Sequence, residues 1–178
     1  MARIIEVEFS VKGLNSLKRQ LLDYKNDLQR KVEEYVSALS DLGVNVAQSS
    51  INESPLGKYV TLTTDISPSK MGCSAILIAV GEVKQAEGYE DFNTLLAIEF
   101  GAGIHHNPIP NPKAELFGLG VGTFPGQTHA FEDGWWYWDE KAQEWRYTQG
   151  VKATMPMYKA DMEMMQQCKK LAKSIFGK

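Results

Sequence analysis

Three histidines, two cysteines and a glycine-rich stretch are the residues of this 178-residue chain whose types could do chemistry, and their spacing decides which chemistry is open. His105 and His106 are adjacent, and in an extended segment neighbouring side chains point to opposite sides, so the pair cannot fill two positions around one ion. A metal site there would need Asp or Glu residues brought in from elsewhere. His129 stands alone; it could serve as the base for a Ser or Cys nucleophile, which keeps a small hydrolase open as an alternative, but no GxSxG elbow occurs. Cys73 and Cys168 lie far apart without CxxC or CxxxH spacing, which speaks against zinc and reads as buried free thiols in a reducing compartment. The glycines of GLGVGTFPGQ follow a Pro-rich loop, precede no helix pattern and lack GK[ST], so they are no phosphate cradle. These residues predict no enzyme, no metal and no cofactor.

A second concentration is of a different kind. All four tryptophans lie between Trp135 and Trp145, and with Phe131, Tyr137 and Tyr147 they make seven aromatics within residues 131–147. Each ring has about 150–250 Å² to bury, so seven left wet would forgo a large part of the chain's hydrophobic stabilisation. Three covers are open: the chain's own core, a neighbouring subunit, or a sugar, for which Asp133, Asp139 and Arg146 would supply polar flanks. Five of the seven methionines, Met155, Met157, Met162, Met164 and Met165, fall on or just before the last helix. They pack a core or form a surface that adapts to a neighbour. The candidate interface residues are therefore Phe124, Phe131, Trp135, Trp136, Trp138, Trp145, Tyr147, Met157 and Met162.

Composition bounds the rest. With 43% hydrophobic and 23% charged residues the chain is expected to form one domain over residues 1–178. The apolar run Ala75–Val80 is far below the roughly 20 residues of a membrane helix, and MARIIEVEFS lacks an apolar signal region, so a soluble, unsecreted protein is expected. The net charge of −3 conceals a partition. Residues 53–151 carry six positive and thirteen negative charges, a balance of −7, whereas residues 152–178 carry six positive and two negative, a balance of +4. The one basic cluster ends a helix, which disfavours nucleic-acid gripping as the main task.

The elements that would position these residues follow from periodicity. Arg3–Val11 alternates and predicts a strand. From Leu14 through Leu17, Leu21, Tyr24, Leu28, Val32, Tyr35, Leu39, Leu42 and Val46 the apolar step is three or four, predicting one long helix to about Ile51, with Gly43 as a possible kink. Its stripe covers a sheet of its own chain or pairs with a helix of another subunit. Pro55 and Gly57 end it. Tyr59–Ile66 and Cys73–Val80 predict paired strands joined around SPSKMG, the second apolar on both faces and so inside the sheet. Phe92, Leu95, Leu96 and Phe100 predict a short helix with Gly101 after its end. Residues 101–126 hold six Gly and four Pro, a long loop taken with its flank as 101–130. Residues 134–149 predict a hairpin placing Trp138 near Trp145 and Trp136 near Tyr147. Pro156 opens a last helix with Tyr158, Met162, Met165, Cys168, Ala172 and Ile175 as its stripe, and Lys169, Lys170 and Lys173 near its end. The sum is an α+β fold: long N-terminal and C-terminal helices on a small, mainly antiparallel sheet.

That order of parts resembles the neck and tail-completion proteins of long-tailed bacteriophages, a family of head–tail joining or minor capsid proteins. The resemblance is carried by Glu99, Phe100 and Gly101, similar to the family's aromatic-Val-Glu-Phe-Gly-Thr segment, and by Ala153 through Ala160, with Pro156, similar to its Ala-x-Pro-Phe-x-x-Pro-Ala helix start. Ala102 stands where Thr is usual and Lys159 where the second Pro is usual. The resemblance implies a noncatalytic structural subunit of the virion, made in the bacterial host cytoplasm, forming a hexameric or dodecameric homo-oligomeric ring. Its partners would be the head–tail connector and the tail terminator or tail tube proteins, with no membrane and with DNA only as cargo passing through the lumen.

Overall fold

The computed structural model describes residues 6–70, 72–84, 91–103, 111–120, 122–123, 132–139 and 142–177. Helix α1 (Val11–Asn52) runs unbroken through Gly43 for 42 residues, about 63 Å at 1.5 Å per residue. Ser10 starts it, its hydroxyl accepting from the Gly13 N–H at 3.0 Å. The strand expected over Arg3–Val11 does not form among its described residues: Glu6–Ser10 are irregular and Val11 is already helical. Alternation makes a strand only where a neighbour offers a ladder, and here Ser10 gives the segment a helix cap instead.

Strands β1 (Val60–Ser69) and β2 (Gly72–Gly81) form an antiparallel ladder from Val60↔Gly81 to Ser69↔Gly72. Pairing therefore continues through most of the expected SPSKMG connection, with Pro68 opposite Cys73. A strand with one neighbour tolerates a proline where no ladder N–H is required. Among the described residues strand β2 does not lie inside a larger sheet, and β1 is its only strand neighbour. Its face alternates accordingly, with Ala75, Leu77 and Ala79 half-buried and Ile76, Ile78 and Val80 exposed. In place of one small sheet the described residues form three separate two-stranded ladders, the others being β3 (Val83–Lys84) with β4 (Phe92–Asn93), and β5 (Trp135–Asp139) with β6 (Glu144–Thr148).

Helix α2 (Thr94–Phe100) is capped by Asn93, whose side chain accepts from Leu95 N and Leu96 N at 3.0 and 3.3 Å, and it stops at Gly101 with φ 78°. Helix α3 (Pro156–Phe176) lies antiparallel to the second half of α1. Lys159 reaches Glu53 at 3.9 Å at one end, and Tyr35 bonds to the Cys168 carbonyl at 3.2 Å and packs edge-on against Phe176 at the other. Between them Gly43 gives Met164 its place: an added Cβ would stand 2.7 Å from the Met164 sulfur. Met164 thus faces α1, while Met165 of the expected stripe points outward at 62% exposure. The fully buried interior is compact and built mostly of small side chains, with Ala47, Ile51, Thr94, Ala97, Ile98, Pro156 and Ala160 where α2 meets β2, α3 and the Gly57–Tyr59 turn that follows α1.

The first half of α1 is a different matter. Every residue from Leu21 to Leu28 is exposed, and Leu14, Leu17, Lys18, Leu21, Leu22 and Lys25 line an open groove of about 380 Å³. The stripe therefore covers the chain's own β1–β2 pair and α3 only from about Gln29 onward, where the Gln29 amide donates to the Ser69 and Gly72 carbonyls. None of the helices, among the described residues, is long and apolar enough to cross a membrane.

Gly81 shows how closely the interior is fitted. A Cβ there would collide with the Leu95 backbone nitrogen and stand 2.7 Å from Leu95 Cβ, whereas Gly72 has nothing within 4 Å. Gly81→Ala is expected to cost about 1–3 kcal/mol by overpacking, and Gly72→Ala less than about 0.5 kcal/mol, in urea unfolding monitored by circular dichroism. Equal midpoints for the two variants would show that α2 does not press on β2 as described.

Candidate functional site

Two of the sequence features meet in one buried cluster. Helix α3 begins without a side-chain cap of its own: Met155 at its N-cap is left-handed, φ 53° and ψ 52°, and Pro156 occupies the first position. The orphan donors of that first turn are served from α2. Glu99, 8% exposed, accepts from Met157 N at 2.9 Å through Oε2 and from Tyr158 N at 3.1 Å through Oε1, and the same Oε1 accepts from Asn111 Nδ2 at 2.8 Å. Glu99 does for α3 what an Asp or Ser at the cap position does elsewhere, and it also fastens the loop carrying Asn111. Lys113, two residues on, closes the fastening by an ion pair to Asp161 at 2.7 Å. Phe100 is buried with its ring 5.6 Å from Phe117, in a short 3-10 helix (Ala114–Phe117) inside the expected long loop. Burial raises the Glu99 pKa above the ordinary carboxylate value, outweighing the opposing hydrogen bonds from Met157, Tyr158 and Asn111. This cluster ties α2, the Asn111 loop and the start of α3 together.

The hairpin is the exposed counterpart. Strands β5 and β6 pair in the expected register, Trp136↔Tyr147 and Trp138↔Trp145, with ring centroids 5.5 and 5.7 Å apart and near-perpendicular rings. Directly opposed residues share a face, so these four rings form one surface. It is largely exposed: Trp136 and Trp145 are each 63% exposed, Tyr147 49% and Trp138 45%. The core reading of these four rings is thereby corrected: they stand exposed, and among the described residues the two strands of the hairpin pack chiefly on each other. Trp135 is half-buried on the opposite face, beside Tyr137, Asp139, Glu144 and Arg146. Arg146 Nε bonds Glu144 at 2.9 Å and lies 3.4 Å from Asp139. Two of the polar groups expected to flank a sugar are thus on the wrong side of the strand pair and engaged with each other.

The remaining expected residues are placed as follows. Met157 and Met162 are half-buried on α3, Pro156 and Ala160 are buried, and Gly101 is buried at the end of α2. Phe124, Phe131, His105, His106 and His129 lie outside the described residues. Cys73 and Cys168 are free thiols but only half-buried, because Cys73 lies near the turn end of the β1–β2 ladder, opposite Pro68, and Cys168 sits at the edge of the α1–α3 contact. Among the described residues no group of three or more His, Cys, Asp or Glu converges on a point that could hold a metal ion. The sequence reading marked Glu99 only as part of a motif; its spacing to Pro156 in sequence carries no signal of the contact. No family model, curated protein or solved structure matches the chain.

Glu99→Ala is expected to lower stability by about 1–3 kcal/mol, since it uncaps α3 and strands the Asn111 amide. Glu99→Gln isolates the charge. Because the folded-state pKa is raised, the folded protein holds the Glu99 proton more tightly than the unfolded chain, and that contribution is complete below the ordinary carboxyl value of 4.5 and lost as pH rises through the folded pKa. Wild type should therefore lose stability relative to Glu99→Gln as pH climbs from 4.5 in a urea series. A constant difference between the two proteins would show that Glu99 titrates as it does unfolded.

Proposed function

We propose that this chain is a structural, noncatalytic subunit of a bacteriophage or prophage neck: a ring-forming tail-completion protein that joins the head connector to the tail tube and lets DNA pass. The observation that carries the assembly part is the uncovered four-ring face of the hairpin, which in water forgoes burial that a neighbouring subunit would supply. Two further apolar surfaces support it, the Leu14–Leu28 stripe of α1 and the Ile76, Ile78 and Val80 face of β2. What supports the neck in particular is the resemblance at Glu99–Gly101 and Ala153–Ala160. These two segments touch, one capping the helix that the other opens.

The charge partition suits the same reading. A passage that conducts DNA without holding it should not present a row of cations, since every phosphate contact releases counterions and adds affinity. A balance of −7 over residues 53–151 fits such a lining. Hexameric and dodecameric rings both remain within this proposal.

Trp136→Ser with Trp138→Ser is expected to abolish assembly while the chain keeps its far-ultraviolet circular dichroism and melting transition. Mass by light scattering and negative-stain imaging, with and without connector and tail-tube proteins, reads the outcome. A protein that forms no ring even with those partners overturns the neck reading, and a double variant that fails to fold shows that the rings support the chain itself.

A further inference from the structure

We propose that two copies of this chain pair edge to edge through β2, antiparallel about a two-fold axis at Leu77, and so complete a four-stranded sheet. The pairing goes beyond the neck reading and uses neither the hairpin nor another protein. It starts from the direction in which the backbone groups point. Glu82 N donates to the Tyr59 carbonyl at 2.9 Å, one step beyond the Val60↔Gly81 rung of the ladder. Bonded and non-bonded rungs alternate in an antiparallel pair, so Thr61↔Val80, Thr63↔Ile78, Asp65↔Ile76 and Ser67↔Ser74 are the bonded ones. The N–H and C=O groups of Cys73, Ala75, Leu77 and Ala79 therefore turn to the other edge of β2, where no strand lies among the described residues.

The two edges of the ladder differ. On β1 the outward-turned residues include Pro68, which has no N–H to offer, and the exposed Asp65 lies close by. Strand β2 has neither a charged residue nor a proline from Gly72 to Gly81. An edge of that length without such guards is a template for a further strand.

The sequence identifies the strand that fits it. Ala75-Ile76-Leu77-Ile78-Ala79 reads the same in both directions, and an antiparallel neighbour is read backwards, so a second β2 matches the first residue for residue. Leu77 then meets its own copy and Ala75 meets Ala79. These rungs join the outward-turned groups and carry two N–H to C=O bonds each. Ile76 stands opposite Ile78 of the other copy on the outer face, where the two side chains are now 58% and 41% exposed, and opposed β-branched pairs of this kind pack against each other. Affinity comes chiefly from the main-chain bonds, as in other strand additions. The same patch is used on both copies, so the contact closes at two chains, and a ring needs a different surface.

Two variants that differ only in the sign of one charge test the register. Ile76→Lys with Ile78→Lys opposes like charges at both outer rungs of the pair, whereas Ile76→Lys with Ile78→Glu opposes unlike ones. Both remove the same two exposed apolar side chains, so a loss of general stickiness affects them alike. By sedimentation velocity the wild type should form dimers; the first variant should pair at least about tenfold more weakly and the second within about threefold of wild type, both with unchanged circular dichroism. Hydrogen exchange at the Ala75, Leu77 and Ala79 amides should slow as the wild-type concentration rises, while that at Ile76 and Ile78, already bonded to β1, should not change. Equal weakening of the two variants, exchange indifferent to concentration, or growth into open-ended aggregates overturns the pairing. A chain that pairs in this way yet forms no ring with connector and tube proteins fails the neck reading alone, and one that forms rings while those three amides exchange freely fails this proposal alone.

Discussion

The fold hangs on one carboxylate. Glu99 lies on a helix of only seven residues, too short to hold its own shape in water, yet it satisfies two backbone donors of α3 and one amide of the loop between them. Without it α3 would start at a left-handed Met155 with nothing to receive its first N–H groups. Fixing that start fixes the line of α3 along α1, and so the meeting of Gly43 with Met164 and of Tyr35 with Phe176. It also fixes where the chain leaves for the hairpin, because the Ala102–Val151 bridge and the Ile98 carbonyl, which receives Thr154 N and Met155 N, lie beside it. A buried charge is a costly way to hold three segments, and its raised pKa records that cost.

Around that clamp the interior is narrow. Its buried hydrophobic side chains are mostly alanines, which allow close backbone approach but bury little area each. The large apolar residues are instead distributed over the first half of α1, the outer face of β2 and the hairpin. Under the proposed assembly role, tight local fits would set the body and the larger apolar surfaces would be left for neighbours.

Much of this was legible in the sequence because it rests on periodicity. The three-and-four spacing from Leu14 to Val46 placed α1, Pro156 placed α3, and the polar DEKAQE between aromatic runs placed the hairpin and its register. What was not legible depends on partners distant in the chain. Arg3–Val11 has the alternation of a strand, but no ladder reaches its described part. The two-faced apolar pattern of β2 suggested a central strand, yet a two-stranded ladder with one apolar face left exposed has the same pattern. Met164 and Met165 differ by 100° on the helix, so which one meets α1 depends on a rotation that periodicity alone leaves open. Glu99 was visible as part of a motif, but its partners, Asn111, Met157 and Tyr158, are 12, 58 and 59 residues away.

The unsupported beginning of α1 has a consequence for timing. Ion pairs along this helix, Asp27 with Arg30 and Lys31 and Arg30 with Glu34, start only at residue 27, and an isolated stretch as short as residues 11–26 is marginally helical in water. The free energy needed to open the helix should therefore rise along its length, from near zero at Val11 to that of global unfolding near the buried Ile51. A partner that met these first turns would supply part of their order, so its contact would be weak per unit area and easily reversed. Such a contact would form and release before the better-ordered half of the helix was engaged.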